Sequence, residues 1–208
     1  FQAGGERMKE KAEAEKLVAE CCQAGSAIIT KVEQKEKSEK SPALFDLTSL
    51  QRAANRKLGF TAQQTLDYTQ ALYEKKLVTY PRTDSRYLTD DMAPLVPELV
   101  SVIQQSFQIQ PDVSAPVNAA QVINSKKVTD HHAIIPTEQY VQLSALSNEE
   151  RRIYDLVVRR FLAVLLPPCV YEETVIQASI EKECFTARGK RMVEKGWQEA
   201  YEDNRYDE

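Results

Sequence analysis

The chain has 208 residues, 42% of them hydrophobic and 28% charged, with a net charge of −4. That is an ordinary globular balance, enough for one large domain or two small ones, and its apolar runs are too short to span a membrane. The overall charge does not announce a nucleic-acid binder, but it is uneven: residues 44–88 sum to +3 and residues 89–208 to −7, so a phosphate backbone would dock on the first stretch.

In chain order, residues 5–23 alternate charge with alanine, and Ala12, Leu17, Val18 and Cys21 form a thin apolar stripe, which predicts a surface helix ended by Gly25. Ser26 to Glu33 reads as a strand, and Gln34 to Ser41 as a charged connector, a solvated loop or strand end. From Leu44 the period turns helical, with Leu47, Leu50, Ala54 and Leu58 on one face and Gly59 as the stop. Thr61 and Gln64 form a capping box for a helix from about Ala62 to Lys75, expected to bury Ala62, Leu66, Thr69 and Tyr73.

Pro81 pushes Tyr80 out of the helical region, so Leu77 to Tyr80 is extended. Thr89 is placed to cap a further helix, Leu95 to Phe107 reads as helix, Gln108 to Pro116 as loop, and Val117 to Ser125 as a short helix. Ser147 and Glu150 repeat the capping box ahead of a helix carrying Ile153, Leu156, Val157, Phe161 and Val164 inward, stopped by Pro167-Pro168. Strand periodicity returns over Val170 to Ile180 and around Cys184 to Ala187. The pattern predicts an α+β fold: a helical domain over 44–166 inserted into a discontinuous β domain made of 1–43, with its N-terminal helix, and 167–208.

The cysteines (Cys21, Cys22, Cys169 and Cys184) form no CxxC pair, so no metal site and free thiols of a reducing cytoplasm are expected, a structural disulfide being the alternative. Phe1 in place of methionine, with no signal peptide, gives the expectation of an excised piece.

Three clusters bear chemistry. In Thr79 to Leu88, Tyr80 has a phenol that attacks phosphorus only with help, and Arg82 lies two residues on along an extended segment, on the same side. Its guanidinium can stabilise a phenolate or a charged phosphate, while Thr83, Asp84 and Ser85 supply short polar groups. A buried tyrosine beside a surface ion pair explains the same residues. In Asp130 to Thr137, adjacent His131 and His132 make a poor metal pair; a histidine donating to a phosphate and a structural pair both remain open. In Asp46 to Arg52, the groups of Thr48, Ser49, Gln51 and Arg52 at a helix N-terminus suit a phosphate, and ordinary capping by Asp46 or Thr48 suits the sequence equally.

The stretch LTSLQRAANRKLGFTAQQTLDYTQALYEKKLVTYPRTDSRYL resembles type IA DNA topoisomerases along its length, from the Leu-Gln helix to the tyrosine before Arg-Thr-Asp-Ser. Pro81 is similar to the topoisomerase III subfamily, and DHHAIIPT resembles the family's His-x-Ala-Ile-x-Pro motif, with His131 in the histidine position. Phe185, Ala187, Gly189, Gly196, Trp197 and Tyr201 look like the return of the chain into the family's β-arch.

The resemblance implies that Tyr80 attacks single-stranded DNA to form a 5′-phosphotyrosyl bond, that Arg82 assists, and that His131 contacts DNA. With this reading, Thr83, Asp84, Ser85, Thr48, Ser49, Gln51 and Arg52 are expected to bind DNA through the polar groups described above, the enzyme is expected to be cytoplasmic and nucleoid-associated, and a helicase partner stays open. The acidic Toprim domain that holds Mg2+ in the family has no counterpart in these residues, since Asp90-Asp91 lacks the Asp-x-Asp-x-Asp spacing. No cofactor is therefore expected on this piece, and it is expected to be inactive alone. Two other readings compete: a non-catalytic single-stranded DNA-binding module, for which 8% aromatic residues show no clustered platform, and a tyrosine recombinase, whose tyrosine would follow the histidines.

Overall fold

The computed structural model describes residues 2–3, 10–107 and 119–201. The expected loop over 108–116, residues 5–9 of the first helix, and the last seven residues lie outside them. The chain folds as two compact units, each assembled from separated stretches: residues 1–39 with 170–194, and residues 40–169 with 195–208. No described helix is long and apolar enough to cross a membrane.

The first unit holds β1 (Gln2–Ala3), α1 (Lys11–Ala24), β2 (Ile28–Glu39), β3 (Cys169–Ile180) and β4 (Glu183–Glu194). Its sheet has the order β1-β4-β3-β2, with β4 antiparallel to both neighbours, so the segments flanking the helical middle meet in one sheet. Gly25 ends α1 in the left-handed conformation, at φ +69°. The strand predicted to stop at Glu33 runs on to Glu39, through most of the expected connector. Cross-strand and along-strand ion pairs account for this: Lys37 bonds Glu173, and Glu33 lies between Lys31 and Lys35.

The second unit is built around α5 (Asn148–Leu165), in which 12 of 18 residues are buried. It packs against α2 (Leu47–Leu58), α3 (Ala62–Glu74) and a 3-10 helix at Gly196–Tyr201. Its core includes Ile153, Tyr154, Leu156, Val157, Phe161 and Leu162, each such side chain contributing about 1.5–3 kcal/mol on burial. Ser147 and Glu150 form the predicted box, and Lys75 closes onto the Glu150 carboxylate at 2.7 Å. Thr61 and Gln64 cap α3 in the same way. Leu95–Phe107 forms α4 as predicted, whereas Asp90–Met92, Ala119–Gln121 and Ser125–Lys127 are only 3-10 turns. Thr89 occupies the N-cap position of the first of these without a side-chain capping bond.

Two expectations need correction. The buried face of α3 is Thr65, Thr69 and Leu72, not Ala62, Leu66 and Tyr73 alongside Thr69. The Thr65 and Thr69 hydroxyls donate to the carbonyls of Thr61 and Thr65, which lets both threonines be buried without losing a hydrogen bond and turns Tyr73 outward at 38% exposure. The end of the chain was assigned to the β domain through 208, yet Gly196–Tyr201 packs on α5. Buried Arg159 donates to the Ala200 carbonyl at 3.2 Å, and Arg160 binds the Tyr201 hydroxyl, the Ala43 carbonyl and the Phe45 ring.

Candidate active site

The site lies within the second unit, where the chain leaves α3. Lys76 adopts a left-handed φ of +61°, and the Leu77 amide bonds back to the Leu72 carbonyl at 2.9 Å, which turns the backbone sharply into an extended run. That run pairs with residues 133–137: the Thr79 amide donates to the Ile135 carbonyl, and the Thr137 amide to the Leu77 carbonyl. The Thr79 hydroxyl donates to the Ala133 carbonyl and accepts from the Ile135 amide, pinning the residue before Tyr80 on both sides.

This pairing brings together the tyrosine and histidine motifs, which are about fifty positions apart in sequence. The rings of Tyr80 and His131 have centroids 4.3 Å apart and are tilted by 43°. On another side the Tyr73 ring meets Tyr80 edge-on, at 5.4 Å and 77°. Tyr80 is half-buried and His131 exposed, so the phenol sits on a rigid aromatic mount that still opens to solvent. An open cavity of about 510 Å³ adjoins it, bordered by Tyr73, Lys76, Thr79, Tyr80 and Thr137.

Downstream of Tyr80 the burial alternates. Pro81, Thr83 and Ser85 are buried; Arg82, Asp84 and Arg86 are exposed, a two-residue alternation that follows a bend of the backbone at Pro81 and Arg82. Arg82 takes no hydrogen-bond or ion-pair partner among the described residues. Thr83 donates to the His131 carbonyl at 2.8 Å, and its own carbonyl receives the Leu47 amide at the start of α2. Ser85 donates to the Lys127 carbonyl at 3.1 Å, and Asp84 accepts a 3.3 Å bond from Thr129.

Asp46 couples this segment to α2. One carboxylate oxygen accepts the Ser49 amide at 2.6 Å as an N-cap, and the other accepts Arg86 Nε at 2.6 Å. Burial works against the charged form of Asp46, but hydrogen bonds from the Ser49 side chain and backbone and from Arg86 outweigh it, holding the carboxyl below its ordinary range.

The structure therefore brings Tyr80 and His131 into contact, while Arg82, two residues after Tyr80, makes no hydrogen bond or ion pair among the described residues. Thr83, Ser85 and Ser49 instead use their hydroxyls inside the protein, and Gln51 donates to the Ala62 carbonyl. Thr48 and Arg52 remain exposed on α2. Sequence reasoning missed Tyr73 as a neighbour of Tyr80 and the Asp46–Arg86 pair. Tyr73 lies seven positions before Tyr80 across a helix end, and nothing in the spacing announces the sharp turn at Lys76. Among the described residues no group of three or more His, Cys, Asp or Glu side chains could hold a metal ion, and the cysteines that they include are free thiols.

Residues 2–208 match the family model described as DNA topoisomerase. The chain is 45% identical over 188 residues to a DNA topoisomerase 3 of Bacillus cereus, a match covering 88% of this chain and 26% of that protein. It is 43% identical over 185 residues to a DNA topoisomerase 3 of Bacillus subtilis, covering 86% and 25%. Its fold is similar to that of full-length topoisomerase I from Thermotoga maritima, with a TM-score of 0.72 and 25% identity over 98% of this chain and 34% of the other. The chain thus spans about a quarter of the length of the curated relatives it matches.

Proposed function

Because this chain belongs to the DNA topoisomerase family, we propose that it supplies the DNA-cleaving tyrosine, Tyr80, of a type IA enzyme of the topoisomerase III kind. The observation that carries this reading is the mount of Tyr80: its ring is held between His131 and Tyr73, with the unpartnered Arg82 two residues along. A nucleophile fixed in this way loses little orientational freedom when substrate arrives.

In the proposed step the Tyr80 phenolic oxygen bonds to the phosphorus of a single-stranded DNA phosphodiester. The bond from phosphorus to the 3′ oxygen breaks, the phenol gives up its proton, and the departing oxygen takes one to become a 3′-hydroxyl. The 5′-phosphotyrosyl link keeps the bond energy for resealing by the reverse path. Arg82 neutralises charge on the phosphate oxygens, and the exposed His131 contacts the strand. Thr48 and Arg52, exposed near the N-terminus of α2, suit a neighbouring phosphate. Thr83, Ser85 and Ser49 act in this reading through the backbone they hold.

The sheet unit corresponds in this reading to an arch that opens for strand passage. The Mg2+ that the family implies has no fitting ligand set among the described residues.

The polarity of the link tests the proposal. Single-stranded oligonucleotide labelled at its 3′ end should remain on the denatured full-length enzyme after cleavage, while label at the 5′ end should leave with the released strand. Retention of the 5′ label instead would contradict the assignment.

A further inference from the structure

We propose that one face of the β-sheet is a second nucleic-acid contact, which binds a phosphodiester backbone through Lys31, Lys35, Lys37, Arg188 and Lys190. Side chains two apart on a strand share a face, so Lys31, Glu33, Lys35 and Lys37 lie on one side of β2. Lys37 reaches Glu173, which is paired across the β3–β4 register with Lys190, and the neighbouring pair on that side is Val175 with Arg188. This face sets five cations against three carboxylates, Glu33, Glu39 and Glu173. On the opposite face of the same strands the balance reverses, with Glu36, Glu172 and Glu183 against Arg191.

In a chain of net charge −4 such segregation is informative. Lys35, Lys37, Arg188 and Lys190 are all exposed, and Arg188 forms no ion pair among the described residues, its charge acting on Glu173 from farther off. Lys35 and Lys37, and likewise Arg188 and Lys190, stand about 6.7 Å apart along their strands, with Lys31 about 13 Å before Lys35, a linear spread that suits a polyanion better than a compact anion. Lys190 lies over the Tyr171 ring at 4.3 Å, a cation–π contact that holds its ammonium on this face. The choice of a nucleic-acid strand as the occupant rests on the reading of Tyr80 above; the charge segregation itself does not.

The test uses this chain with Tyr80→Phe, so that no covalent adduct contributes, and a fluorescent single-stranded oligonucleotide titrated at several salt concentrations. The paired substitution Arg188→Gln with Lys190→Gln should weaken binding and make the slope of log affinity against log salt shallower by about 1.4, since each phosphate contact on a single strand contributes about 0.7. Glu173→Gln should act in the opposite direction and tighten binding. A folded double variant with unchanged affinity and slope overturns the proposal, as does equal competition by polyglutamate of matching length. Failure here is read in the salt slope, whereas failure of the Tyr80 reading is read in the polarity of the trapped label, so the two are separable.

Discussion

Arg82, in the segment after Tyr80, and Asp46, which grips that segment through Arg86, take different work. Arg82 is exposed and unpartnered, so Arg82→Ala should leave the unfolding midpoint unchanged while lowering the cleavage rate by about 10²–10³, the usual scale for deleting a charge-stabilising group. Arg82→Lys should recover only part of the rate, because an ammonium cannot copy a two-pronged guanidinium. Single-turnover cleavage and thermal melts on the same samples check both statements. Asp46, by contrast, is structural. Its carboxyl is held below the ordinary range despite its burial, by Ser49 and Arg86, and burial is likewise outweighed at Glu150 by Lys75 and Ser147. The unfolded chain therefore binds protons at these sites more readily than the folded one. Their stabilisation is complete above about pH 4, the ordinary carboxylate value, and is lost as pH falls through the lower folded values. Asp46→Asn should lower stability at neutral pH and flatten this acid limb, as read by denaturant unfolding at a series of pH values. An unchanged limb would remove Asp46 from the account.

At the scale of elements, the helix starts were legible because capping is local chemistry: Thr61 with Gln64 and Ser147 with Glu150 sit three residues apart and satisfy each other's backbone. The inner face of α3 was not, because a threonine that donates to the carbonyl four residues back is as buriable as an apolar residue, and letters alone do not show which hydroxyl is so used. The same ambiguity separates Tyr80, Arg82 and His131, legible as motifs, from Thr83, Ser85 and Ser49, whose bonds turn inward. The charge run in β2 hid a strand because its partner charge, Glu173, lies far along the chain. The tail, Gly196 included, reads by resemblance as the return into the β-arch, and its letters do not show that it packs on α5. The φ of Gly196 is +50°, and a Cβ there would come within 2.5 Å of the Pro168 carbonyl oxygen. Gly196→Ala should cost about 2 kcal/mol or more and loosen residues 196–201 from α5. The chain has one tryptophan, Trp197, so its fluorescence reports that loosening directly; an unshifted emission and an unchanged unfolding midpoint would contradict it.

Across the molecule, the proposed reading gives the helical unit the cleaving tyrosine and the sheet unit a part in strand passage. Both units take strands or helices from separated stretches of chain, so neither is complete until the residues beyond 169 have folded. The central claim is that the Tyr80 oxygen forms the covalent link, and Tyr80→Phe isolates that oxygen while keeping the ring against His131 and Tyr73. The most direct measurement is covalent trapping of end-labelled single-stranded oligonucleotide on denatured full-length enzyme, compared between the native protein and Tyr80→Phe. The account predicts a labelled adduct for the native protein and none for Tyr80→Phe, with folding and strand binding retained. An adduct formed by Tyr80→Phe would mean that another group is the nucleophile.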